Sequence, residues 1–355
     1  MATAIEPGQG KRWPLQLGRT FVHPLFDYLV IAGGLSLLVT AAVFWGVPGF
    51  AWGGSTVTLL AVLVLVSNSA HFAASTVRLY TKPGAFRDLP FLTLGLPIVT
   101  VAILTLTIAF APLLGRHLQA LYLTWSPYHY AAQAYGLAAM YCYRSGCRLE
   151  GGDKILLRLA CLAPFLHSFL GSPSIGIEWF VPASALGAPA VAATREVLVR
   201  GLATASLALP AVWFVVMGSR GRAVPAISLL VVLTNGVWWI ALNYVHAFFW
   251  ATVFHGLQYL AIVIIFHVRD RERLPGNLHG WAYHSALFYF ACLLLGFLLF
   301  QVWPFAYVAA GFGWAESLLL VTAVINIHHF VVDAYIWRLR RDPNYRIVTE
   351  TAPAT

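Results

Sequence analysis

The sequence predicts an all-α fold, a membrane bundle of about ten transmembrane helices, and three observations support this prediction. Of the 355 residues, 60% are hydrophobic and 10% are charged, whereas a soluble chain carries roughly a quarter charged residues. Apolar windows of about 20 residues recur along the whole chain. Lys and Arg gather in every second loop between these windows. We therefore expect a multi-pass protein of the bacterial inner (plasma) membrane.

The apolar windows are each about long enough to cross the hydrocarbon core as a helix. They cover 27–45, 56–79, 89–114, 118–143, 155–170, 196–217, 225–242, 244–267, 281–301 and 311–338. The stretch 225–267 is too long for one span, so we expect two helices there with a tight turn near Asn243. The outer loop 171–194 is either a plain connector or contains an interfacial helix.

The basic residues orient the helices through the positive-inside rule. They precede the first span and follow the second, fourth, sixth, eighth and tenth, while the alternate loops hold few beyond Arg116 and Arg195. We therefore expect a cytoplasmic segment 1–26, a single transmembrane domain 27–338 and a disordered cytoplasmic tail 339–355. Because the net charge of +9 is spread over short loops, it does not indicate nucleic-acid binding.

Five histidines lie inside spans that run in the same direction. His71, His129 and His255 lie in the second, fourth and eighth spans, and His328 and His329 lie together in the tenth. At 1.5 Å per residue from the basic ends, they lie roughly 10 to 25 Å deep, within reach of one layer. An ionisable group at this depth is costly and marks a functional site by default.

Four of these histidines stand in the middle of a polar stripe. The residues three positions before them are Asn68, Ser126, Thr252 and Asn326, and those four positions after them are Ser75, Gln133, Tyr259 and Asp333. Residues at these spacings share a helix face with the histidine. Lipid satisfies none of these polar groups, so the four faces must meet protein or a cavity.

Histidine clusters without thiolates are typical of iron, copper and zinc sites. The predicted metal ligands are His71, His129, His255 and His329, with His328 as a fifth ligand or a proton-transfer group. A ligating ring donates its second N–H to a carboxylate or amide. The residues predicted to surround the ligands in this way are Asn68, Gln133, Asn326 and Asp333. This set suits one or two non-haem irons, although a single membrane histidine is often only a hydrogen-bonding residue between helices.

The remaining features concern the substrate. Aromatic residues cluster around the fourth, seventh and eighth spans, either as an interfacial belt or as the walls of a pocket for a lipophilic molecule. Tyr130 and Tyr259 flank histidines in mid-span. We select Tyr259, Asp333 and His328 as candidate catalytic residues. The four cysteines form no closely spaced metal-type pair, and we interpret them as small hydrophobic side chains.

The four-histidine set on separate helices resembles, in ligand type, the bacterial membrane carotene-cleaving oxygenases, which hold iron with histidines. The histidine boxes of membrane desaturases and hydroxylases are absent. These features favour an iron-dependent oxygenase or oxidoreductase that acts on a lipid-soluble isoprenoid, carotenoid or acyl chain and uses an electron donor. The alternatives are haem binding by two facing histidines, a proton- or metal-coupled transporter with a histidine–aspartate relay, and a non-catalytic assembly role.

Overall fold

The computed structural model describes residues 15–45, 62–171, 176–240 and 247–336, which are almost entirely helical. The long helices are α1 (Pro24–Ile31), α2 (Gly34–Trp45), α3 (Val64–Ser69 as a π-helical turn, continued by Ala70–Thr81), α4 (Phe91–Ala109), α5 (Ala111–Arg144), α6 (Gly151–Gly171), α7 (Pro189–Ser219), α8 (Ala226–Ile240), α9 (Ala247–Glu272), α10 (Trp281–Ala309) and α11 (Trp314–Ile336). Two short strands, β1 (Leu15–Gln16) and β2 (Val224–Pro225), pair in parallel. The all-α prediction is confirmed for the described residues.

Six of the described helices are long and apolar enough to cross a membrane, namely α4, α6, α7, α10, α11 and the Trp250–Glu272 part of α9. The pair α1 and α2, bent by 59°, makes up to seven. This is fewer than the ten spans predicted. Helix α5 has polar and charged side chains along its length, α8 has 15 described residues, and part of the predicted span 56–79 lies outside the described residues. These helices indicate a multi-pass membrane protein.

Three helix boundaries differ from those predicted. The first predicted span is broken after α1, where Gly33 adopts a φ of +82° that favours glycine. Only Phe110 separates α4 from α5, so the predicted boundaries at 114 and 118 are wrong. Helix α7 begins at Pro189, before the predicted residue 196, because proline is well accommodated in a first helical turn. The predicted turn near Asn243 and the tail 339–355 lie outside the described residues.

The loop 171–194 contains the short helical turns Ile177–Trp179 and Ala183–Leu186 in its described part. Neither turn approaches the length of a membrane span. The charged turn Ala85–Asp88 similarly joins α3 to α4.

Helix α9 is the central helix of the bundle. Inside the molecule, 89% of its apolar window is buried, compared with 22% for α7 and for α10. Glycines allow α9 and α10 to approach the π-helical turn of α3 closely. A Cβ atom on Gly256 would lie 3.0 Å from the carbonyl oxygen of Ser67, and one on Gly296 would lie 2.7 Å from that of Ser69. Helix α3 is therefore held between α9 and α10 directly before His71.

The chain before α1 forms a structure that we call the N-terminal clasp, residues 15–27. Its centre is Asp27, which is 0% exposed. The Asp27 carboxylate accepts hydrogen bonds from the backbone N–H groups of Phe21 (2.5 Å), Val22 (3.1 Å) and His23 (3.3 Å). It also accepts one from the hydroxyl group of Tyr141 on α5, at 2.8 Å. These donors satisfy the buried carboxylate and join the clasp to the bundle.

Two arginines hold the clasp from the other side. Arg144 donates to the carbonyl oxygen of Thr20 at 2.9 Å, and Arg269 donates to that of Phe21 at 2.6 Å. Their guanidinium carbons lie 4.6 Å and 5.8 Å from the centre of the Phe21 ring, within the range of cation–π attraction. The clasp thus connects the ends of α5 and α9.

A second buried carboxylate lies nearby at the start of α6. The Asp153 side chain is 0% exposed and pairs with Arg220 and Arg222. It also accepts a hydrogen bond from the backbone N–H of Glu150 at 2.8 Å. Arg222 pairs with the Glu150 carboxylate as well. Asp153, like Asp27, is therefore fully engaged with partners from the protein itself.

Candidate metal centre

Four helices each bring one histidine to the interior of the bundle. His71 follows the π-helical turn of α3, His129 lies on α5, His255 on α9 and His329 on α11. His71, His255 and His329 are 0% exposed, and the His129 side chain is 12% exposed. The four helices predicted to share a polar layer do bring these side chains together.

The distances between the ring centres are short. The His71 ring lies 4.4 Å from that of His329 and 4.7 Å from that of His255, while the His129 ring lies 5.1 Å from each of those two. The rings of His71 and His129 are 6.4 Å apart. Imidazoles bound at about 2.1 Å have their ring centres about 3.2 Å from the ion, so rings at right angles lie about 4.6 Å apart and opposite rings about 6.5 Å apart. The observed distances match this arrangement, with His71 opposite His129.

Two of the rings have unsatisfied nitrogens. Among the described residues, no atom forms a hydrogen bond with Nδ1 or Nε2 of His71, or with Nδ1 or Nε2 of His255. The backbone carbonyl of Asn68 lies near the His71 ring without reaching hydrogen-bonding geometry. Buried polar groups are nearly always hydrogen-bonded in native proteins, so four such nitrogens beside one another require an explanation.

Asp333 lies beside the other two rings. The distance from His329 Nε2 is 3.3 Å to His129 Nε2 and 3.4 Å to Asp333 Oδ2, and His129 Nε2 is 3.6 Å from the same Oδ2. Ligand atoms at about 2.1 Å from an ion lie about 3.0 Å apart at right angles and about 3.4 Å apart at tetrahedral angles, so these separations are close to those of atoms that share an ion. Asp333 therefore offers a ligand atom itself, in addition to its predicted position beside His329.

The second nitrogen of His329 contacts another helix. Its Nδ1 lies 2.9 Å from Oγ of Ser75 on α3, so Ser75 occupies the position that was predicted for Asp333. The hydroxyl group of Tyr259 donates to Oδ1 of Asp333 at 2.5 Å, and its ring lies 4.7 Å from that of His71. Such contacts fix the orientation of a ligating ring or carboxylate. Ser75 was missed as a partner of His329, although its spacing from His71 had marked it as part of a polar stripe.

Two of the predicted surrounding residues, Gln133 and Asn326, make other contacts. The Gln133 amide donates to the backbone carbonyl of His255 and to Gln258, both at 3.4 Å. The Asn326 amide donates to Thr322 of its own helix at 2.7 Å. The side-chain oxygens of Asn68, Gln133 and Asn326 are buried without a hydrogen-bond partner among the described residues. Their predicted role around the ligands stays a prediction.

Two sets of side chains in the described part of the chain have ligand atoms within 4.8 Å of one another. One set is His71, His129 and His255, and the other is His129, His329 and Asp333. His129 belongs to both sets and links them into one cluster, which we call the histidine cluster: His71, His129, His255, His329 and Asp333. The four cysteines are buried and free and belong to neither set.

His328 is half-buried and belongs to neither set in the described residues, so its role as a fifth ligand or proton-transfer group stays a prediction. Tyr130 stacks on the His255 ring at 4.1 Å, and its hydroxyl group lies 2.9 Å from that of Thr252. His284 on α10 lies 2.9 Å from the side-chain oxygen of Asn277.

A cavity of about 450 Å³ adjoins the histidine cluster. It lies between α5, α9 and α11, and His129, Gln133, Tyr259 and Asp333 line it together with mainly apolar side chains. Cavities of this size and character hold small lipophilic molecules. His129 is the one partly exposed histidine of the cluster because it lines this cavity.

The fold and the site together define a multi-pass helical protein with a buried histidine–aspartate cluster that has the geometry to hold a metal ion. No protein-family model, curated protein or solved structure matches the chain.

Proposed function

We propose that the protein is a membrane metalloenzyme, a non-haem iron oxygenase or related oxidoreductase that acts on a lipophilic substrate. His71, His129, His255 and His329 hold the metal, and Asp333 either completes the ligand set or orients it. The substrate is an isoprenoid, carotenoid or acyl chain, and an electron donor supplies reducing equivalents. Tyr259 and His328 serve in proton transfer near the metal.

The observation that carries this proposal is the set of unpartnered nitrogens on His71 and His255. Leaving a buried polar group without a partner costs about 1–3 kcal/mol. Four such groups side by side would be a large cost for a purely structural cluster. A metal ion bound to these rings removes about half of that cost, because one nitrogen of each ring gains a bond in place of its lost water.

The donor set is compatible with iron. It contains imidazole and carboxylate without thiolate, and two histidines with one carboxylate are the ligands of many non-haem iron oxygenases. Such a metal supplies oxygen activation when it is bound. The chain itself orients the ligands through Ser75 and Tyr259 and excludes water by burial.

Haem is less compatible with the positions of the rings. Two axial histidines need a free plane between them for the macrocycle. The rings of His71 and His129 are 6.4 Å apart, but His255 and His329 lie within 5.1 Å of both, where that plane would be.

We further propose that the bent pair α1–α2 and helices α3, α5 and α8 cross the membrane together with the six apolar helices. Ten spans in the bacterial inner membrane then leave both termini in the cytoplasm, in agreement with the distribution of Lys and Arg. In this topology the N-terminal clasp, Arg144 and Arg269 lie on the cytoplasmic side.

Metal analysis of the purified protein tests the proposal. We expect about one equivalent of iron per chain, no Soret band, and loss of the iron in His129→Ala and His329→Ala. His167→Ala is the matched control, because His167 lies on α6 and contacts the backbone of α7 at 3.1 Å instead of the cluster.

Two results would overturn the proposal. The first is wild-type protein without stoichiometric iron, copper or zinc. The second is an unchanged metal content in both cluster variants. Metal or proton uptake into proteoliposomes without any oxidation of lipophilic substrates would instead favour the transporter alternative.

A further inference from the structure

The cavity beside the histidine cluster is long and follows one helix. Its lining on α5 extends from Trp125 to Met140, a distance of about 22 Å at 1.5 Å per residue. One part of the lining is polar, with His129, Gln133 and Asp333. Beyond this part, the lining consists of apolar side chains towards Met140. The cavity therefore has the shape and polarity of a site for an extended chain.

The side of the cavity is open on the surface of the bundle. Ala132 on α5 and Ala334 on α11 both line the cavity and are exposed, and Tyr128 beside them is 47% exposed. Ala132 precedes Arg144 by about 18 Å along α5. In the proposed topology Arg144 marks the cytoplasmic interface, so the opening lies at the depth of the hydrocarbon core. It therefore faces lipid chains.

Gly136 occupies a special position on this path. It lines the cavity in the middle of α5, and a Cβ atom added there would meet no atom within 4 Å. Glycine inside a helix costs about 1 kcal/mol relative to alanine. No close helix contact requires glycine here, in contrast to Gly256 and Gly296. The absent side chain instead widens the cavity between its opening and the apolar region near Leu137 and Met140.

We propose that a hydrocarbon chain enters this cavity sideways from the bilayer, through the opening at Ala132 and Ala334, and extends past Gly136 towards Met140. The chain is that of an acyl lipid or of a similarly extended isoprenoid. Gly136 sets how far the chain penetrates and therefore which of its carbons lies beside His129 and Asp333. The proposal rests on the proposed function for the identity of the reacting site, but hydrocarbon binding itself requires no metal.

The test uses a C18 fatty acid that carries a diazirine group near its methyl end. The full-length protein is reconstituted in phosphatidylcholine vesicles with this probe, irradiated, and the labelled residues are identified by mass spectrometry. We expect labelling of Leu137 and Met140, which are only 1% and 7% exposed, in addition to Ala132. Gly136→Leu should reduce labelling of Met140 at least fivefold and leave labelling at Ala132 unchanged.

The matched control is Gly201→Leu on α7, at an exposed position where an added Cβ also meets no atom within 4 Å. It should leave all labelling unchanged. If Gly136→Leu does not fold, Ala334→Trp at the exposed opening should reduce labelling of both Leu137 and Met140. Labelling confined to lipid-facing residues, or labelling of Met140 that persists in a folded blocking variant, would overturn the proposal.

Photolabelling depends on neither metal nor turnover. Protein that binds no metal but labels Met140 would refute the proposed function and support the chain site. Protein that binds metal but is labelled only on its surface would refute the chain site and leave the proposed function standing.

Discussion

The N-terminal clasp and the histidine cluster are both buried polar regions, but they differ in how their polar atoms are satisfied. Asp27 receives four hydrogen bonds from backbone and side-chain donors of the protein itself. His71 and His255 are equally buried, yet their ring nitrogens have no such partner among the described residues. The side chains in the two regions are therefore equally buried, and only the presence or absence of hydrogen-bond partners distinguishes the structural polar site from the candidate ligand-binding site.

This difference has an energetic consequence. A satisfied buried network stabilises the fold and loses stability when any member is removed. An unsatisfied cluster destabilises the fold until its ligand binds, and then the ligand supplies the missing stability. Substitutions in the two regions should therefore have opposite effects on the metal-free protein.

The largest expected effect concerns His255→Leu. In metal-loaded protein this substitution should abolish the metal-dependent stabilisation, which amounts to about 4 kcal/mol for a ligand at a thousand times its Kd. In metal-free protein it should leave the unfolding temperature unchanged or raise it, because two unpartnered nitrogens are replaced by carbon. Thermal unfolding in detergent, with and without a chelator, measures both. A fall in the unfolding temperature of the metal-free protein would show that His255 has a structural partner.

Asp27→Ala should give the next largest effect. Unlike His255→Leu, it should lower the stability of the metal-free protein and leave metal binding intact. It leaves three backbone N–H groups and the Tyr141 hydroxyl without their acceptor, and a loss of at least about 3 kcal/mol is expected. The folded fraction should retain its full metal content, because the clasp does not contact the cluster. Thermal unfolding and metal analysis on the same sample check this. Loss of metal together with preserved stability would contradict the separation of the two regions.

Tyr259→Phe should have a moderate effect that is confined to the site. Removing the hydroxyl group that donates to Asp333 should weaken metal binding about 10- to 100-fold, as is usual for residues that orient ligands. The stability of the metal-free protein should change by about 1 kcal/mol or less. Tyr130→Phe is the control, since its hydroxyl group contacts Thr252 and no carboxylate. Metal titration in competition with a chelator distinguishes the two variants, and equal weakening in both would remove the special role of Tyr259.

Arg220→Gln should have the smallest effect. Its side chain is 48% exposed, and partly exposed ion pairs contribute about 0–1 kcal/mol. Asp153 retains its pair with Arg222, whose side chain is 22% exposed. A shift in unfolding temperature as large as that of Asp27→Ala would mean that the Asp153 network is as important to the fold as the clasp.

The sequence predicted the all-α fold because apolar length reflects solvation by lipid, which acts on each segment separately, but fewer described helices than the ten predicted are long and apolar enough to cross a membrane. It did not predict the central position of α9, since most of the spans are apolar on all sides. The role of Asp27 was also missed. Its partners are backbone N–H groups of a short irregular segment, which leaves no periodic pattern in the sequence.

For the site, the sequence indicated the four histidines because ionisable groups stand out in apolar spans. It could not show which nitrogen of each ring faces which neighbour. That depends on the side-chain angles and helix separations that place Asp333 of α11 3.6 Å from His129 of α5. The contact between Ser75 and His329 joins two helices that are far apart in the chain, and the sequence did not predict it either.

The π-helical turn Val64–Ser69 has a further consequence. Such a turn contains one residue more than a regular α-helix of the same length needs. Deleting a single residue there would convert the turn to regular helix and rotate His71 by about 100° relative to Val62 and Leu63, which directly precede the turn. The direction in which His71 points thus depends on the number of residues in the turn as well as on their identity. Single-residue insertions and deletions in this turn should be tolerated less well than substitutions of the same residues.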